Sequence, residues 1–128
     1  MKYLIDTHSL IWFIEGNPKL TETTKSVIED INKTCFVSTA SFWEIAIKIS
    51  LDKLKLEMPF MDLEEWVINN RIHILPISFG HIIQLSQLPF HHRDPFDRTL
   101  VAQALSENLT IITKEKLFEE YGIKRLWQ

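Results

Sequence analysis

Short apolar runs that alternate with helical patterns constrain this chain more than any other feature. KYLID (2–6), TCFVS (34–38), IHILPI (72–77) and LTIIT (109–113) read as strands, with IKRLW (123–127) a candidate fifth. Between them lie segments of helical spacing. HSLIWFIEG (8–16) stops at the breaker Gly16-Asn17-Pro18, and Thr21 to Asn32 turns Leu20, Val27, Ile28 and Ile31 inward. SFWEIAIKISLDK (41–53) is apolar at Phe42, Ile45, Ala46 and Ile49, and further helices are expected over 61–70, 79–87, 95–107 and 115–121. Strands too short to span a layer alone, each followed by a helix, predict a parallel sheet covered on both faces. The expected fold is therefore α/β: three α/β/α layers around a mainly parallel sheet of four to five strands, with 1–128 as one domain. In such sheets, sites form at the carboxyl ends of the strands, where the strand order reverses.

Composition narrows the chemistry. A chain of 128 residues that is 45% hydrophobic builds a core and is not disordered. Its one cysteine, Cys35, forms no internal disulfide and suits a reducing compartment. No apolar run reaches the ~20 residues of a membrane span, and MKYLID leads straight into a strand, so a cytoplasmic protein is expected. The net charge of −3 excludes a general polycation, so nucleic acid would need a local basic patch or a bound metal. With three glycines and no G-x-G-x-x-G or P-loop, nucleotide-cofactor binding by those routes is unsupported. There is no G-x-S-x-G elbow, and neither Ser9 nor Ser41 has a histidine partner evident in the sequence. The histidines lack zinc-binding spacing. His91, His92 and Arg93 instead read as a basic lip, extended by Lys48, Lys53, Lys55 and Arg98, or equally as a solvated surface.

The acids each have two readings. Asp6 closes the first strand and also suits the N-cap of the next helix. Ser41-Phe42-Trp43-Glu44 fits a capping box, yet Glu44 lies in a helix apolar on most sides, where a sheltered acid needs a partner. Asp94 before Pro95 is a good N-cap, and Asp97 then falls in the first turn, where negative charge suits the helix dipole. Glu115, in the charged segment KEKLFEE, reads as a surface acid. Together, however, Asp6, Glu44, Asp97 and Glu115 all fall at one edge of the expected sheet. Four carboxylates there repel one another unless a cation neutralises them, and oxygen-only ligation points to Mg²⁺ or Mn²⁺.

LIDTHSLIWFI, SFWEIAIK, HRDPFDRTLVAQAL and IITKEKLF together resemble the PIN domain, and more narrowly the VapC-type toxins of type II toxin–antitoxin pairs. The resemblance spans nearly the whole chain. It implies a metal-dependent ribonuclease that cleaves structured RNA by metal-activated water and leaves a 5′-phosphate. Position by position, it assigns Asp6, Glu44 and Asp97 as catalytic and metal-binding acids and Thr113 as the threonine supporting a fourth. That fourth position carries Glu115 where the family usually has aspartate. The charge is kept and a methylene added, which suits a water-mediated role; Asp94 is a further candidate ligand. His91, His92, Arg93 and Arg98 become candidate substrate contacts. A cognate antitoxin and a homodimer are the implied partners. The apolar surplus of Phe42, Trp43, Ile47, Leu51, Leu54, Leu56, Phe60, Met61 and Trp66 is either a two-helix core or the surface they use. The rival functions are a catalytically silent PIN-like binding module, and a metal-dependent phosphatase or DNA nuclease.

Overall fold

The computed structural model describes all 128 residues. Five strands, β1 (Lys2–Ile5), β2 (Thr34–Ser38), β3 (His73–Leu75), β4 (Thr110–Ile112) and β5 (Arg125–Leu126), form one sheet in the order β3-β2-β1-β4-β5. Every pairing is parallel. The helices are α1 (Thr7–Glu15), α2 (Glu22–Glu29), α3 (Thr39–Ser50), α4 (Leu63–Asn69), α5 (Phe79–Ser86) and α6 (Pro95–Glu107). Short 3-10 turns occupy Phe60–Asp62 and Lys116–Tyr121. No helix is long and apolar enough to cross a membrane.

The three layers follow from the period-two alternation of β1. Tyr3 and Ile5 face a cluster with Leu10, Leu20, Ile28, Ile45 and Val67. Leu4 points the other way, to Leu100, Val101, Ala104 and Phe118. Both faces are thus buried, the usual condition of an all-parallel sheet. Register then aligns the strand ends. Ile5 lies between Val37 and Ile112, so the next residues, Asp6, Ser38 and Thr113, fall in one row. The chain runs from β1 outward to β2 and β3, then crosses back through α5 and α6 to β4 on the other side of β1. The strand order therefore reverses at β1, and Asp6 stands at the crevice this creates.

Local details depart from the sequence reading at three points. The helix expected over 21–32 ends at Glu29, capped at its start by the Thr21 hydroxyl, and Ile31 is exposed rather than inward. Its chain has already turned extended at Asp30 to enter β2. The capping box at Ser41 does not form. Ser38 caps α3 through its hydroxyl and Ala40 N–H, so Ser41 and Glu44 lie inside the helix. Ser41 instead accepts a buried bond of 2.9 Å from the Thr7 hydroxyl, which ties α1 to α3. The apolar surplus divides between both readings. Phe42, Leu54, Leu56 and Trp66 pack against the core, while Trp43, Leu51, Phe60 and Met61 are exposed.

The Thr7–Ser41 bond joins the helices that carry Asp6 and Glu44, and neither hydroxyl reaches water. Ser41→Ala should strand the Thr7 hydroxyl and cost about 1–3 kcal/mol by denaturant titration. The double change Thr7→Val with Ser41→Ala should cost less than the sum of the singles, because it strands nothing. Additive losses would show that the pair is not coupled.

Candidate active site

Asp6 is built into the first turn it starts. Its extended backbone ends β1, and its carboxylate accepts the Ser9 N–H at 2.9 Å to cap α1. It is only 3% exposed. Burial pushes its carboxyl up from the ordinary range, against the opposing pull of the Ser9 and Thr113 side chains and the Ser9 N–H. Thr113 is fully buried, and its oxygen accepts the Glu115 N–H at 3.0 Å, shaping the turn that carries Glu115. Glu115 itself is exposed and makes no cap bond.

Glu44 projects from the middle of α3. One oxygen pairs with Lys48 at 3.1 Å, one helical turn on. The other, Oε1, is buried with no hydrogen-bond partner. That is a costly state for a carboxylate and marks a place where a cation is wanted.

Both aspartates of DPFD sit where the sequence placed them, with distinct roles. Asp94 Oδ1 accepts the N–H groups of Phe96 and Asp97 at 2.8 and 3.1 Å, which caps α6, and Pro95 takes the first helical position. Asp97 is freed from capping, and its Oδ2 meets His92 Nε2 at 3.0 Å. The Asp94 N–H donates to His92 Nδ1 at 3.1 Å, which leaves the ring proton on Nε2, facing Asp97. Burial, then the charges of Asp94, Glu44, Asp6 and Glu115, push the Asp97 carboxyl up to about 7. Five acids from four separate stretches of chain therefore share one electrostatic site.

The basic lip is largely taken apart. Arg98 is not an exposed cation: only 7% of it is accessible. Its guanidinium donates to the carbonyls of Pro89 and His92 at 2.9 and 3.4 Å and lies 4.0 Å from the Phe90 ring centre. It clamps the loop ahead of α6, which needs a buried fork of donors because that loop has few ladder bonds of its own. The two histidines diverge. His91 stacks edge-on against Tyr121 at 4.9 Å and lies 3.7 Å from Glu120, while His92 turns to Asp97. Arg93 stays exposed. Lys48 belongs to Glu44.

A cavity of about 180 Å³ opens beside Asp6, lined by His8, Ser9, Trp12, Lys114 and Glu115. A larger hollow of about 470 Å³ at the opposite end of the strands contains a single acid, Glu107. Of these two, only the smaller is bordered by Asp6 and Glu115. By sequence His8, two residues beyond Asp6, was one of the histidines without zinc-binding spacing and Trp12 was not singled out, although their spacing of four on the 8–16 helix puts them on one face.

The chain belongs to the PIN domain family: the family model matches residues 3–124. Among solved structures it is similar to VapBC2 from Rickettsia felis, solved with a promoter DNA fragment. That match has a TM-score of 0.75 and 18% identity, over 100% of each chain. It is also similar to DNA-bound VapBC from Salmonella typhimurium, with a TM-score of 0.73 and 19% identity over 98% of this chain and 97% of that one. VapBC-1 from nontypeable Haemophilus influenzae matches with a TM-score of 0.70 and 18% identity, over 98% and 97%. At such identities the likeness is one of fold. A comparison with curated proteins finds no match.

PIN domains are generally dependent on divalent metal. Here no three acidic, histidine or cysteine side chains form a ready-made chelating group. The reason is visible in the contacts: Ser9 N–H holds Asp6, Lys48 holds Glu44 and His92 holds Asp97. The donors nevertheless fit Mg²⁺ or Mn²⁺, which keep several waters and take only one or two carboxylates directly. The stranded Glu44 Oε1 supplies unneutralised oxygen.

The Asp97 shift carries a sign. Its folded value of about 7 lies above the ordinary 3.8, so the folded state holds the proton more tightly. Asp97 therefore lends stability at low pH that is lost as pH rises towards 7. In chelator-containing buffer, Asp97→Asn should stabilise the protein at pH 8, by on the order of 2 kcal/mol, and leave it unchanged near pH 4. Thermal melts at both values check this; a gain that is equal at both would rule out the charge origin. Asp94→Ala should cost about 0.5–2 kcal/mol, and Asp94→Ser should recover most of it.

Proposed function

We propose that this PIN domain is a metal-dependent endoribonuclease, the toxin of a type II toxin–antitoxin pair, with 1–128 acting as one unit. The observation that carries the reading is geometric: at the switch point of a PIN sheet, the buried Asp6 carboxylate ends β1 and the Glu44 Oε1 lies buried with no hydrogen-bond partner. Clustered acids with raised carboxyls in a crevice are the mark of a site arranged for charge that arrives with a ligand. VapBC complexes of the same fold support the toxin assignment and an antitoxin partner.

In this reading Asp6, Glu44 and Asp97 hold the metal, with Glu115 and Asp94 acting through water or through the backbone. Bound Mg²⁺ or Mn²⁺ supplies an activated water and offsets charge on the phosphoryl oxygens. The chain does the rest. Ser9 N–H and Thr113 orient Asp6, and His92 fixes one oxygen of Asp97 so that the other remains available. Arg98 holds the loop from which His92 hangs, and Arg93 and Lys114 remain exposed for phosphate contact. Apolar side chains left in water, Trp43, Phe60 and Met61 with Phe79, Ile82 and Ile83 on α5, offer area for the antitoxin and a second copy.

Asp6→Asn should lower RNA cleavage by about 10²–10³-fold, as loss of a charge-stabilising group does, and weaken Mn²⁺ binding in a calorimetric titration. Wild-type protein should cleave RNA in preference to DNA or a phosphomonoester, and a chelator should stop it. Undiminished cleavage by folded Asp6→Asn would refute the site. Wild-type protein that binds no Mn²⁺ would instead leave a silent binding module.

A further inference from the structure

The acid site opens onto an aromatic pair that the nuclease chemistry does not use. His8 is exposed, Trp12 is half-buried, and their rings stand 6.1 Å apart at 42° on one face of α1. Both line the cavity that contains Asp6 and Glu115. Trp12 is braced from the side by Trp127 at 6.0 Å and 60°, so its plane is held in place by packing. Cations frame the pair: Lys114 lines the same cavity, and Lys19 lies 6.0 Å from the Trp12 ring centre. A fixed aromatic surface beside lysines, at the mouth of an acid site, suits a flat ring carried on an anionic backbone.

We propose that His8 and Trp12 form a stacking platform for one unpaired nucleobase of the RNA, next to the phosphate that is cut, with Lys114 against its backbone. This rests on the ribonuclease reading above. A cavity of about 180 Å³ admits one planar ring system and not a paired helix, so the nucleotide at the cut lies in a single-stranded stretch. A cationic peptide is the competing occupant, drawn by Asp6 and Glu115. The two lysines beside the aromatic rings weigh against it, because they would repel its charge where a phosphate would be attracted. The platform explains why Trp12 remains partly open although it packs on the main core cluster.

The experiment has two arms. In chelator-containing buffer, which prevents cleavage, a short single-stranded RNA should quench tryptophan fluorescence of the wild type and of Trp43→Phe but not of Trp12→Phe. Duplex RNA should not quench. His8→Ala, an exposed change that leaves the melting temperature intact, should weaken this binding about tenfold, within the range for loss of one stacked base. With metal present and the cut mapped, an abasic residue beside the cut should raise KM about tenfold for the wild type. It should do little further in His8→Ala, with kcat nearly constant in both. Quenching lost in Trp43→Phe but kept in Trp12→Phe, quenching by an arginine-rich peptide but not by RNA, or unchanged binding by His8→Ala would each overturn the platform. RNA quenching that follows Trp12 in a protein that cuts no RNA with any metal would keep the platform and sink the ribonuclease. Cleavage with no penalty for the abasic substrate would do the reverse.

Discussion

The structure depends on β1 being hydrogen-bonded along both edges and buried on both faces. A strand in that position cannot slip register without moving Tyr3, Leu4 and Ile5 to the wrong layers, since successive side chains point to opposite faces. Its end is consequently fixed relative to both neighbouring strands. Asp6, Ser38 and Thr113 are lined up there by the pairing of Ile5 with Val37 and Ile112. Two of the three then start helices, and the third shapes the turn to Glu115.

That geometry creates an electrostatic difficulty, and three of the acids meet it with one partner each. Asp6 has a backbone N–H, Glu44 has Lys48, and Asp97 has His92. Burial and the neighbouring carboxylates still push the Asp97 carboxyl up. Lys48 is partly exposed and His92 hangs from a loop, so both can yield. Arg98 is the opposite case. Buried under Phe90 and bonded to carbonyls, it holds that loop and has no freedom to meet a substrate.

The alternation of strands and helices was legible because period two and period 3.6 are local properties of sequence. The DPFD assignment was legible for the same reason: proline at the first helical position makes the preceding aspartate the cap and leaves the next one free. The capping box at Ser41 misled because S-x-x-E is also compatible with a helix interior. The helix starts three residues earlier, at the strand end where Ser38 could cap it. Arg98 misled because a single cation in sequence looks exposed by default, and only the fold of the 88–92 loop gave it carbonyls to hold.

By itself, the sequence determined the three layers, the parallel sheet and the N-cap of α6, because each follows from short-range spacing and residue chemistry. Tertiary structure alone decided which partner each acid takes, which cations are spent inside the protein, and that His8 and Trp12 share a cavity with Asp6. Those facts depend on segments tens of residues apart being brought within a few ångströms. Charge interaction and stacking vary with that distance, and no local pattern encodes it.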